Sequence, residues 1–197
     1  MKILLTLLLL ARAAPTPAQA PDTSGSGTAL LKSRIASSAL VSILSKLLSR
    51  QMAAGGPVKA MHVCADTAQA LSDRIQREQR TSMRRVTERW RNPSDAPDAY
   101  ETRILRRFEA DHLERRLDPA AEHFEVVEGD SGREFRYLRP LFVQTLCLSC
   151  HGERSRMKDM INTILQERYP GDRAVGYRAG DFRGAVSIRI PLPQGKR

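Results

Sequence analysis

Apolar side chains recur three and four apart at Leu30, Leu31, Ile35, Leu40, Ile43, Leu44, Leu47 and Leu48, the period of a helix, and predict one long helix over 29–54. The stretch AAGGP, Ala53 to Pro57, ends it, with glycine after the last turn and proline just beyond. Pro57 suits the first position of a second helix, expected to reach Gln79. In that helix Met61, Cys64, Ala68, Leu71 and Ile75 share one inward face, and His62 points to a flank. A turn-rich loop with two prolines, WRNPSDAPD, leads to a third helix over 98–117, capped by Asp98 and carrying Ile104, Leu105, Phe108 and Leu113.

The period then changes. HFEVVE, a DSG turn and REFRYLRPLFV read as a β-hairpin that delivers the chain to Leu146 and Cys147. Residues 153–168 can form a short helix, YPGD turns it, and GAVSIRIPL is a final strand with Val186, Ile188 and Ile190 on one face. Helices first and antiparallel strands later give an α+β domain over 29–197.

The N-terminus has a short positive start, an apolar run from Ile3 to Leu10 and a small-residue stretch, ARAAPTPAQA. This is the order of a signal peptide, read over 1–20, followed by a linker over 21–28. The small-x-small form of a cleavage site occurs at Ala11-Arg12-Ala13 and at Ala18-Gln19-Ala20. The apolar run is too short to span a bilayer and no other stretch could. The expectation is an exported, periplasmic protein with no integral membrane segment after signal removal.

Charged residues are 27% of the chain and hydrophobic ones 41%, with a net charge of +10, an ordinary globular balance on the basic side. The densest basic run, Arg77 to Arg91, still contains Glu78 and Glu88. It reads as a solvated basic face rather than a nucleic-acid surface, and would suit an acidic protein partner.

Chemistry concentrates in TLCLSCHGE. Cys147-Leu148-Ser149-Cys150-His151 has the form C-x-x-C-H, the c-type haem attachment signature. Each thiol adds to one vinyl group to make a thioether, and the adjacent histidine binds the iron through a ring nitrogen. A structural zinc site would need a second close Cys or His pair, and His112 and His123 are eleven apart. A thioredoxin-type dithiol would need a βαβ context. A plain disulfide is the remaining rival. On the other face of the iron, Cys64, Met61, Met83 or no ligand at all are the possibilities; Cys64 is the one cysteine outside the motif and is on the inward helix face.

Four segments, AMHVCADTAQAL, RVTERWRNPSDAPDAYE, YLRPLFVQTLCLSCHG and YPGDRAVGYRAGDFRGAVSI, stand in an order and at separations that make the chain resemble a family of exported single-haem proteins. In that family one c-type haem sits in a PAS-like domain. The resemblance covers about residues 30–190. It departs at Arg85-Val86-Thr87, where the family often has Arg-Thr-Ser, and at Asp95, where it often has Asn. It implies a PAS-like antiparallel sheet flanked by helices, a long N-terminal helix, and His/Cys ligation of one haem c by His151 and Cys64. Arg85 and Arg91 are candidate partners for its propionates, because a guanidinium fork matches a carboxylate. Trp90 and Phe142 read as core residues. The expected function is a redox or diatomic-gas sensor module without enzyme activity, working through a redox or signalling protein partner. The alternative is an electron carrier. A di-haem peroxidase would need two C-x-x-C-H motifs, and the chain has one.

Overall fold

The long first helix forms, and it breaks where its sequence breaks. The computed structural model describes residues 25–129 and 132–193. The expected signal peptide lies outside the described residues, as do residues 21–24 of the linker and the first two residues of the Asp130–Gly132 turn. Helix α1 runs Ser26–His62, but Gly55 (φ −168°, ψ 17°) and Gly56 (φ 68°, ψ −163°) leave helical geometry. It is two helices end to end, with Pro57 opening the second; the positive φ at Gly56 is what asks for glycine there. Residues 26–28, read as linker, are already helical. Nothing in Ser-Gly-Thr forbids a helix, the Ala29 N–H closes the first turn onto the Gly25 carbonyl at 3.0 Å, and Ala29 is buried.

The second half of α1 continues through a π-helical turn, Val63–Thr67, into α2, Ala68–Gln79. Met61, Ala68, Leu71 and Ile75 are buried and His62 is exposed, paired with Asp66. A short strand β1, Ser82–Val86, follows. It falls inside the basic run expected to be a solvated face; Arg77, Arg80 and Arg89 are exposed as expected, while Arg84 and Arg85 on the strand are half-buried. Alternation puts Met83 and Val86 into the core on opposite faces, and its arginines into polar contacts described below.

Helix α3, Ala99–Leu113, starts with a complete capping box, Asp98 with Glu101. It stops earlier than the expected 117, and Leu113 is 77% exposed rather than buried. The inward position after Phe108 is taken by His112, whose ring lies 5.8 Å from that of Phe142. The hairpin forms as β2, His123–Gly129, and β3, Gly132–Phe142. A four-residue helix α4, Leu148–His151, holds all of the C-x-x-C-H motif but Cys147; α5, Asp159–Arg168, and β4, Phe182–Pro191, follow.

All strand pairs are antiparallel, in the order β1-β4-β3-β2. One face of the sheet packs Phe135, Tyr137, Val186, Ile188 and Ile190 against α1 and α2. The other packs Leu138 and Ala185 against Ile104, Leu105 and Phe108 of α3. The fold is α+β, an antiparallel sheet flanked by helices with a long N-terminal helix. Among the described residues no helix is long and apolar enough to cross a membrane.

Candidate functional site

Cys64 occupies the π-helical turn between α1 and α2. Such turns carry one residue more than an α-turn and are frequent at functional sites. The half-buried Cys64 side chain faces a cavity system of three adjoining lobes, of about 140, 70 and 320 Å³, all lined by Cys64 and Cys147. Cys150 lines the smallest lobe, and His151 lines that one and the 140 Å³ lobe. Residues separated by more than eighty positions thus meet around one space. Among the described residues no group of three or more His, Cys, Asp or Glu side chains is arranged to hold a bare metal ion, and all three cysteines are free thiols. The four side chains ring a cavity instead of closing on a point, unlike a structural zinc site.

The chain reaches the motif from the end of β3 through a 3-10 turn, Thr145–Cys147. Gly152 follows His151 because a Cβ there would stand 2.7 Å from the Leu148 carbonyl oxygen, which accepts the Gly152 N–H at 3.0 Å. A strap over residues 172–177 then locks His151 in place. The Tyr177 N–H donates to the His151 carbonyl at 2.9 Å, and the Gly176 N–H to the Gly152 carbonyl at 2.8 Å. His151 Nδ1 lies 2.7 Å from the Ala174 carbonyl oxygen. A carbonyl only accepts, so Nδ1 carries the proton and Nε2 keeps its lone pair. Burial, then the Arg91 and Arg183 guanidiniums, holds the imidazole pKa well below its ordinary value, so the ring is neutral. A neutral ring with one nitrogen fixed by a backbone carbonyl is what a metal-binding histidine requires.

Arg91 secures the same strap. Its Nη2 donates to the Cys150 carbonyl at 2.5 Å and to that of Ala174 at 3.3 Å, and pairs with Asp172 at 3.2 Å. The Asp172 carboxylate is fully buried and accepts the Ala174 N–H at 2.8 Å. Arg91 Nε is buried without a hydrogen-bond partner among the described residues. Arg91 is therefore on the cavity wall, largely engaged by protein at the Cys150 end. Burial raises the Cys147 pKa and pushes that of Cys150 up to about 11, so both motif cysteines are protonated thiols near neutral pH.

Arg85, on β1, lines the two larger lobes, and so does Arg183, on β4. Arg183 Nη1 donates to Thr87 Oγ1 at 3.1 Å and to the Arg89 carbonyl at 3.2 Å. Among the described residues neither guanidinium has a carboxylate at ion-pair distance, and Asp95 is the one acidic residue lining the three lobes. Burial raises the Asp95 pKa, against the pull of Arg85, Arg183 and Arg84.

Of the other candidates for an axial ligand, Met61 lines two lobes while packed against Met157, Ile161 and Leu165, and Met83 is in the core away from the cavity. Phe142 lines the two larger lobes and packs on Phe182; Trp90 lines none of them and packs beside Gly171. Sequence reasoning does not single out Arg183, Asp172, Ala174 or Tyr177. All four lie in YPGDRAVGYRAGDFRGAVSI, one of the segments carrying the family resemblance, and that membership is the signal that points to them.

No curated protein matches the chain. Among solved structures, the crystal structure of the cyanobacterial heme-protein Tll0287 is similar, with a TM-score of 0.61 and 26% sequence identity over 89% of this chain and 100% of that one. A family model described as Tll0287-like matches residues 19–191, which takes in both strands and helices that build the cavity. By that match, and with the cavity-lining residues inside it, the chain belongs to the Tll0287-like family.

Proposed function

We propose that this chain is a periplasmic c-type haem protein that senses redox state or a diatomic gas, and is not an enzyme. The observation that carries the reading is the pairing of Cys64 with His151 across one cavity, with the His151 Nε2 lone pair left free by the Nδ1–Ala174 hydrogen bond. The donor set fits a haem. Cys147 and Cys150 are free thiols at attachment spacing, His151 Nε2 suits a proximal ligand, and Cys64 suits the opposite face. The similar structure is of a heme-protein, which supports the same reading. A haem bound here would supply a one-electron couple, with a potential that His151 and Cys64 would tune.

In this reading a Cys64 thiolate stabilises the ferric state and gives a low potential. Cys64 is also the switch. Cys64 would hold the iron from the π-helical turn between α1 and α2, so a change in its bond to the haem would be felt at that turn. His151 and Cys64 together would hold the iron from two sides, which is the support for reading the chain as a sensor. The test is spectroscopic, on protein expressed with cytochrome c maturation machinery. Covalent haem and a ferric low-spin thiolate spectrum are expected in the native chain, with the thiolate signature lost in Cys64→Ala while covalent haem remains. An unchanged spectrum in Cys64→Ala would sink the ligand assignment. Retention of the thiolate on reduction, with fast electron exchange, would favour a plain electron carrier.

A further inference from the structure

We infer that Arg85 and Arg183, and not Arg91, receive the two propionate carboxylates of the haem, an inference that rests on the haem reading above. The first argument is position. The two vinyl groups of a haem lie along one edge of the porphyrin and the two propionates along the opposite edge. Thioether attachment therefore fixes the vinyl edge at the motif cysteines. Cys150 lines only the smallest lobe, and neither Arg85 nor Arg183 lines that lobe. Both line the two larger lobes, which Cys147 also lines but Cys150 does not. Arg91 lines the 140 Å³ lobe too, but it also lines the smallest lobe, where its Nη2 is held on the Cys150 carbonyl at 2.5 Å.

The second argument is charge. A guanidinium sheltered from water needs an anion or a full set of acceptors. Arg91 has Asp172 at 3.2 Å. Arg183 has a hydroxyl and a carbonyl on one nitrogen and no carboxylate at ion-pair distance among the described residues, and Arg85 has none either. Burial, with Arg91 and Arg85 nearby, already holds the Arg183 pKa below its usual value. A single buried carboxylic acid, Asp95, faces them. Two cations against one acid is an imbalance that a ligand with two carboxylates corrects, and the planar fork suits each of them.

The third is local geometry. Gly184, next to Arg183, has φ +134°, and a Cβ there would stand 2.3 Å from the Val86 carbonyl oxygen. That close approach of β4 to β1 accompanies the Arg183 bond to Thr87, two residues beyond Arg85, and both guanidiniums line the same two lobes.

The experiment uses the haem-loaded full chain and reads the propionate bending band in the resonance Raman spectrum, together with the iron–ligand bands. Arg183→Gln and Arg85→Gln are each expected to shift the propionate band towards that of a hydrated propionate, with covalent haem and the iron–ligand bands unchanged. Arg183→Lys restores part of the shift. Arg91→Lys leaves the propionate band in place and moves the iron–histidine band, because it loosens the Ala174 carbonyl that holds His151. Propionate bands unmoved in both Gln variants, or moved by Arg91→Lys alone, overturn the assignment. Arg85→Gln leaves the Arg183 bonds to Thr87 and Arg89 intact, so a poorly folding Arg183 variant does not close the question. A native chain that folds but acquires no covalent haem overturns the haem reading, and this inference with it.

Discussion

Adjacent arginines on β1 face two different worlds. Arg84 points to the α3 side of the sheet and is paired with Glu101, whose carboxylate is completely buried. Glu101 also accepts the Asp98 N–H at 2.8 Å and the Ser187 hydroxyl at 2.7 Å, while Arg136 pairs with Asp98 at 2.7 Å. Arg85, one residue on, points to the other face and lines the cavity without a carboxylate at ion-pair distance among the described residues. The carboxyls report the same contrast. Asp98 titrates below its ordinary value, since the Glu101 N–H and Arg136 outweigh its burial. Asp95, three residues earlier, titrates above it because burial outweighs Arg85, Arg183 and Arg84. Where the chain supplies both signs, charge is structural. Where it supplies mostly one, the proposed haem propionates would supply the balance, and on β1 strand alternation decides which arginine does which.

The largest break in that comparison is Glu101→Ala. It leaves Arg84 without its buried partner and removes the acceptor for Ser187 and for the Asp98 N–H, so a loss of about 3–5 kcal/mol in urea unfolding is expected. A loss below about 1 kcal/mol would mean that the α3 side is no better paired than an exposed surface.

Much of this is legible in the sequence, and the gaps have physical causes. The Gly55-Gly56-Pro57 break, the Asp98 cap, the hairpin and the Val186-Ile188-Ile190 face follow from local rules that read one segment at a time, and all are present. Strand β1 is not legible, because SMRRV has two successive arginines and only five residues. Its strand character comes from pairing with β4, a partner about a hundred residues away. Nor can spacing show that Arg91 is taken by Asp172, or that Ala174 sets the His151 tautomer, since both depend on a strap that folds back over the motif. The motif cysteines and His151 stand out in the sequence because C-x-x-C-H is a recognisable spacing, and Cys64 because a helix face can be counted; a π-helical turn at Cys64 cannot be. Charges whose partners lie far along the chain are where reading by segment runs out.

A smaller effect separates the capping role of Asp98 from its pairing with Arg136. Asp98→Ala is expected to cost about 1–2 kcal/mol at neutral pH, as loss of an N-cap does. The pH dependence follows from the depressed pKa. Its contribution is fully present above the ordinary aspartate value of about 3.9 and is lost as pH falls through the lower folded value. Unfolding curves of Asp98→Ala and the native chain should therefore draw together in acid. A gap that stays constant from neutral pH into acid would assign the effect to the cap geometry alone.

The smallest effect has the opposite sign and tests the cavity side directly. The Asp95 pKa is raised, so between its ordinary value and the raised one the folded state binds more protons than the unfolded state, and stability falls as pH rises through that window. Asn has nearly the shape of the protonated acid and no proton to lose. Asp95→Asn should thus be more stable than the native chain near neutral pH, with the difference gone below about pH 3.9, where the acid is protonated in both states. The measurement is urea unfolding at several pH values, beside Asp98→Ala under the same conditions. If Asp95→Asn is instead less stable at neutral pH, then Asp95 is the counter-ion that Arg85 and Arg183 use, the two faces of β1 are alike, and the cavity needs no further anion. A gain at neutral pH that fades in acid leaves these two arginines short of negative charge, which is the property that fits them to a ligand bearing two carboxylates.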